Sequence, residues 1–191
     1  MKQKRIIIVF FLIFAAGIIY LSSCASRPAK ENLPFAWLTN SSKFILLHPE
    51  NIEKILDGPQ LISASFMERE HQMITWVKAD ETGINMILLN EMGVTLGELS
   101  YQNGTISFSS SVFPRALRPE YIVADFQLCF YNADSLGRAL QEIGLSFQET
   151  ENGRRVLQRN NTIIEIFFSP NIIKIINHLR GYTYTLEGDF S

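Results

Sequence analysis

From residue 35 onward, short apolar runs alternate with turn-forming residues, a period-two pattern that belongs to antiparallel strands. It predicts strands at 35–38, 44–47, 60–68, 72–79, 84–89, 94–101 and 105–111, and a second series at 146–149, 155–159, 163–168, 172–176 and 182–186. Asn103-Gly104 lies between two such runs, and Asn-Gly tolerates the positive φ angles of a tight hairpin turn. Asn152-Gly153 and Asn160-Asn161 mark two further turns. After the first turn Ile106 and Phe108 point to one face while Ser107 and Ser109 point to the other, so this sheet has an inside.

The period changes at Pro119, well suited to the first position of a helix. Over 120–131, Ile122, Phe126, Cys129 and Phe130 fall at i, i+4, i+7 and i+8, a single apolar stripe, with Asp125 and Gln127 read as the wet side. A second helix is expected over 135–143, capped by Asp134 and stopped by Gly144, and a third helical segment near 49–57. About ten strands in one sheet must curl, which points to an α+β protein: a strongly curved antiparallel sheet, or half-closed barrel, covered by a few helices. Strands 84–89 and 163–168 are apolar on both faces and need a second cover. Helices, oligomer contacts or a bound apolar ligand would each supply one.

The amino terminus follows a different pattern. Lys2, Lys4 and Arg5 precede an almost unbroken apolar run over 6–21, the layout of an export signal. Its 16 residues fall short of the about 20 needed to cross a bilayer. Leu21-Ser22-Ser23-Cys24 resembles the lipobox of bacterial lipoproteins, which implies acylation of Cys24 and cleavage just before it; an uncleaved anchor helix is the alternative. In that class an aspartate after the cysteine marks inner-membrane retention. Ala25 stands there instead, so the expected location is the outer membrane of a Gram-negative cell, lipid-anchored and facing the periplasm. Each buried CH₂ of an acyl chain contributes ~0.8 kcal/mol, so two or three chains hold firmly. The expected organisation is a signal peptide at 1–23, a lipid-anchored linker at 24–34 and one domain at 35–191.

Removing 1–23 takes three of the 17 Lys and Arg and none of the 19 Asp and Glu, which leaves 14 against 19 and a net charge near −5. That balance provides no basic stripe for phosphates and argues against nucleic acid as a partner. Once Cys24 is acylated, Cys129 is the remaining cysteine, and its place in the helical stripe predicts a buried, unreactive thiol. His48, His71 and His178 show no metal-ligand spacing, and no nucleophile or phosphate-loop motif is present. The Glu68-Arg69-Glu70-His71 cluster is read as a solvated hairpin tip. No catalytic residue, metal or cofactor is therefore expected. Trp37 and Trp76, on or beside predicted strands, suit either a filled core or a greasy cavity.

The stretch "MILLNEMGVTLGELSYQNGTISF" (86–108) resembles the LolB family, outer-membrane lipoproteins that accept other lipoproteins from a periplasmic carrier. "LRPEYIVADFQLCFYNADSLGRAL" (117–140) and "GYTYTLEG" (181–188) resemble more closely a family of unknown function, numbered 3261, of outer-membrane lipoproteins often encoded beside aryl polyene and fatty-acid synthesis enzymes. The Tyr-Trp-Pro-like stretch usual in that family is Phe130-Tyr131-Asn132 here. The resemblance implies an unclosed antiparallel barrel with helices over an apolar cavity that takes acyl chains. Its wall would draw on Trp76, Leu88, Leu99, Ile106, Phe108, Phe126 and Phe130. It also places Met92, in Asn90-Glu91-Met92-Gly93, at the tip that inserts into membrane; by its own pattern Met92 could equally fold back on the core. The implied partners are the membrane, through acyl chains on Cys24, an acyl lipid or lipoprotein cargo, and a periplasmic carrier protein. A docking lipoprotein that binds a protein partner in envelope assembly is the alternative.

Overall fold

The computed structural model describes residues 33–66, 69–110 and 118–190. The candidate leader, Cys24, Ala25, most of the linker, Glu68 and residues 111–117, ahead of Pro119, lie outside the described residues. The unit from Leu33 onward is compact.

A small hairpin, β1 (Phe35–Trp37) with β2 (Lys43–Ile45), stands apart from a ten-stranded antiparallel sheet. The sheet is two five-stranded meanders joined edge to edge. The first comprises β3 (Leu56–Phe66), β4 (Arg69–Asp80), β5 (Gly83–Leu89), β6 (Thr95–Gln102) and β7 (Thr105–Ser110). The second comprises β8 (Ser146–Thr150), β9 (Gly153–Gln158), β10 (Asn161–Ser169), β11 (Ile172–Asn177) and β12 (Tyr182–Glu187). Spatially the order is β7-β6-β5-β4-β3-β12-β11-β10-β9-β8, so β7 and β8, adjacent in sequence among the strands, are opposite edges. The sheet is strongly curved and unclosed, a half-barrel in an α+β fold.

Two helices, α1 (Pro119–Phe130) and α2 (Ala133–Glu142), lie in the connection between those two edges. That topology explains the cover: a chain leaving β7 has to cross to β8, and α1 lies across the inner face on the way. Pro119 begins α1 and Glu120 lies in its first turn, as the sequence predicts. Tyr131 breaks the helix with extended angles, and Asn132 then caps α2, its Oδ1 accepting from the N–H groups of Asp134 and Ser135. The cap is therefore Asn132, two residues before the expected Asp134, because the bend after Tyr131 turns the Asn132 side chain onto the first free N–H groups. Gly144, at φ +76°, ends α2, with Leu145 N–H donating to Leu140 O and Gly144 N–H to Gln141 O.

Three expectations change. The segment near 49–57 forms only a 3-10 turn at Pro49–Asn51, and β3 begins at Leu56. Gly58 and Pro59 disfavour helix, and Pro59 is tolerated in β3 because β12 pairs only from Leu61 onward, leaving 56–60 bonded on the β4 side alone. The turn between β9 and β10 falls at Arg159-Asn160, with Arg159 at φ +59°, and Asn161 already pairs with Gln158. Finally, the two-faced apolar strands are not buried on both faces. A register shift between Thr162 and Ile164 lets both Ile163 and Ile164 face inward, while Phe167 and, on β5, Ile87 remain exposed outside.

Candidate functional site

Every residue of α1 from Val123 to Phe130 is buried, including Asp125 and Gln127. The expected wet side is absent, because α1 is covered by the sheet on one side and by the β1–β2 segment on another. Gln127, fully buried, solves its burial with a paired contact: its Nε2 donates to Leu47 O at 2.8 Å and its Oε1 accepts from Leu47 N–H at 2.9 Å. The Tyr101 phenol donates to the same Leu47 carbonyl at 3.0 Å. Burial pushes its pKa up to about 12, so it stays a donor. At the helix end Arg154, only 5% exposed, donates through Nη1 to the carbonyls of Leu128, Cys129 and Tyr131 at 3.1, 3.0 and 2.8 Å. Its Nη2 reaches Glu53 and Glu149, both at 3.3 Å. These bonds satisfy carbonyls that any helix end leaves open. Cys129 is buried as expected, and burial pushes its thiol pKa up, away from the reactive thiolate.

In the other half of α1, Val123 and Ala124 pack in the core while one face borders space. Beneath Tyr121, Ile122, Asp125 and Phe126 lies a cavity of about 340 Å³ whose wall is the inner face of β3–β7 and β12. Small-molecule sites run from roughly 300 to 1,000 Å³. The wall is chiefly apolar, with Ile62, Met73, Val77, Met86 and Leu186 prominent. Polar groups are few. Tyr182 donates to Asp125 Oδ2 at 2.7 Å and accepts from Asn177 Nδ2 at 3.1 Å. Burial raises the Asp125 carboxyl to about 6, against the opposing pull of Tyr182, Tyr184 and the Arg180 charge. Arg180 itself stays outside, over the Tyr121 ring at 4.4 Å, with Nη2 also bonded to Trp37 O.

Of the residues expected in the wall, Leu88, Leu99, Phe108 and Phe126 line this cavity. Ile106 packs against the core beside it. Phe130 lies at the far end of α1, against Phe126 and Phe190. Trp76 is a correction: it is 46% exposed on the outer face of β4, its Nε1 donating to Asp57 at 3.2 Å. Strict alternation decides this, because Thr75, Val77 and Ala79 point inward and Trp76 and Lys78 cannot. Met92 sits on the β5–β6 turn and is 84% exposed, with Val94 beside it at 56%. Asn90 Oδ1 accepts from the N–H groups of both, and Gly93 takes φ +76°, so the loop is held with its apolar residues outward. Sequence reasoning did not single out Gln60, Thr75, Tyr182 or Tyr184. Their signal was present, since each keeps step with inward apolar neighbours on its strand.

Among the described residues, no group of three His, Cys, Asp or Glu side chains is gathered to hold a metal ion. Nor is any described helix long and apolar enough to cross a membrane. His178 pairs with Glu165 at 2.8 Å on the surface, away from the cavity wall.

Fold and site together define a curved-sheet protein with a helix-covered apolar cavity. The chain belongs to the family described as "Protein of unknown function (DUF3261)", whose model matches residues 59–188. The match runs from Pro59 in β3 to the end of β12 and so includes both helices and the cavity wall; the β1–β2 hairpin precedes it. No curated protein matches the chain.

Proposed function

We propose that this protein is an outer-membrane lipoprotein that binds acyl chains beneath α1, as the acceptor or transfer protein for a lipid or lipoprotein. The cavity is the observation that carries this reading: about 340 Å³, largely apolar, and retained under a helix in a domain large enough to fill it. The lipobox resemblance at Cys24 supplies the anchor and the location. Held by a linker near a bilayer, the domain would exchange cargo with little net cost. A CH₂ gains ~0.8 kcal/mol on leaving water for either the cavity or the membrane, so no nucleotide is required. The role is binding, without catalysis. The exposed Met92 and Val94 suit a tip that touches lipid during hand-over.

Native mass spectrometry of the full chain, extracted gently from membranes, tests this directly. One bound lipid per chain is expected, and a lipid-free chain overturns the reading. Met92→Glu is expected to slow cargo delivery severalfold while leaving the melting temperature unchanged; unaltered delivery would remove Met92 from the mechanism.

A second reading, the docking lipoprotein, is favoured by one feature. Pro59, Trp76 and Ile87 are register partners across β3, β4 and β5 and form an exposed apolar row on the outer face. Recovery of a stoichiometric protein partner, lost on Trp76→Glu and accompanied by no lipid, would replace the first reading with this one.

A further inference from the structure

Two polar side chains in the cavity wall have no evident structural purpose there. Gln60 on β3 and Thr75 on β4 are direct cross-strand partners, and both face inward at 5% and 1% exposure. Thr75 Oγ1 has no hydrogen-bond partner. A buried hydroxyl left this way is costly, and a valine of the same shape would fill the place without the penalty. The neighbouring Gln60 amide offers both a donor and an acceptor. Asp125 also lines the cavity, and no Lys, Arg or His does. A carboxylate or phosphate brought inside would meet that carboxyl and no cation in the wall, Arg180 lying outside it over the Tyr121 ring. A bare hydrocarbon, conversely, would leave Thr75 unbonded.

We propose that the cavity selects an uncharged amphiphile, a single long chain ending in a hydroxyl, ester or amide group that bonds Thr75 and Gln60, over anionic lipids. The inference rests on the acyl-binding reading above and narrows it to a class of head group. It assigns Gln60 and Thr75 as a specificity pair and Asp125 as the group that repels anions.

Photo-crosslinking separates the possibilities, with the full chain in nanodiscs at pH 8 and three chain-matched diazirine probes: a C12 alcohol, a C12 carboxylate and a C12 alkane. The alcohol is expected to label cavity residues such as Met73 and Met86. Thr75→Val should lower its yield roughly fivefold and leave the alkane yield unchanged, the loss of about one hydrogen bond. Gln60→Met, of similar volume, should act in the same direction, and thermal melts check that both variants fold. The carboxylate should label at least about tenfold less than the alcohol. If the alcohol and alkane respond alike to Thr75→Val, or the carboxylate labels best, the head-group selection is overturned while acyl binding stands. If no probe labels the cavity, the acyl-binding reading fails and takes this inference with it.

Discussion

The two halves of α1 are one helix under two regimes. From Gln127 to Tyr131 the backbone and amide groups are answered, the Gln127 amide by Leu47 and the carbonyls of Leu128, Cys129 and Tyr131 by Arg154, while the Tyr131 hydroxyl is left unpaired. From Tyr121 to Phe126 the helix lies over open space, with a buried carboxyl whose pKa is raised to about 6. The difference shows how a small domain keeps a void: one end of the cover is fixed so firmly that the other end need not collapse onto the sheet. Packing lost over the cavity is offset by satisfied bonds at the far end.

The largest way to break this contrast is Arg154→Ala. It leaves three buried carbonyls without their donor and should cost roughly 4 kcal/mol in denaturant unfolding, with α1 destabilised as a whole. Next is Asp125→Asn at the cavity end, with the opposite sign. The folded carboxyl, at about 6 against an ordinary 3.8, holds its proton more tightly than the unfolded one does. Stability present at pH 4 is therefore lost as pH rises through about 6. The neutral amide escapes that loss and should raise stability by roughly 3 kcal/mol at pH 8 and by little at pH 4, read from melts at both values. Gln127→Ala should cost about 2 kcal/mol, because the Leu47 N–H is orphaned while its carbonyl keeps Tyr101. The smallest effect is reserved for Ile122→Ala, about 1 kcal/mol, since that side chain already borders a void; Leu128→Ala on the clamped half should cost about 3. Equal costs for those two would mean that the halves are packed alike.

Strand positions, the Asn103-Gly104 turn and the two helices were legible because period-two and period-3.6 patterns survive in single sequences. The phase of each strand was legible too, yet Trp76 was assigned to the cavity on its chemistry although its alternation with Thr75 and Val77 placed it outside. Asp125 and Gln127 were read as wet because a helix with polar residues ordinarily turns them to solvent. What overrode that expectation is non-local: Leu47 lies 80 residues from Gln127, and Tyr182 lies 57 from Asp125. The bulge between Thr162 and Ile164 depends on pairing with β9 and leaves no local mark. No period in the chain reports such contacts.

An unclosed sheet has two free rows of backbone donors and acceptors, and here those rows are short. β3 and β4, near the middle, run 11 and 12 residues, whereas the edges β7 and β8 run six and five. The edge strands are also polar on their outward positions, with Ser107 and Ser109 on one and Ser146 and Gln148 on the other. A neighbouring chain that tried to extend the sheet would find few rungs and hydrophilic side chains beside them. The taper thus lets the half-barrel stay open, as a cavity needs, while giving fibrous self-association little to grow from.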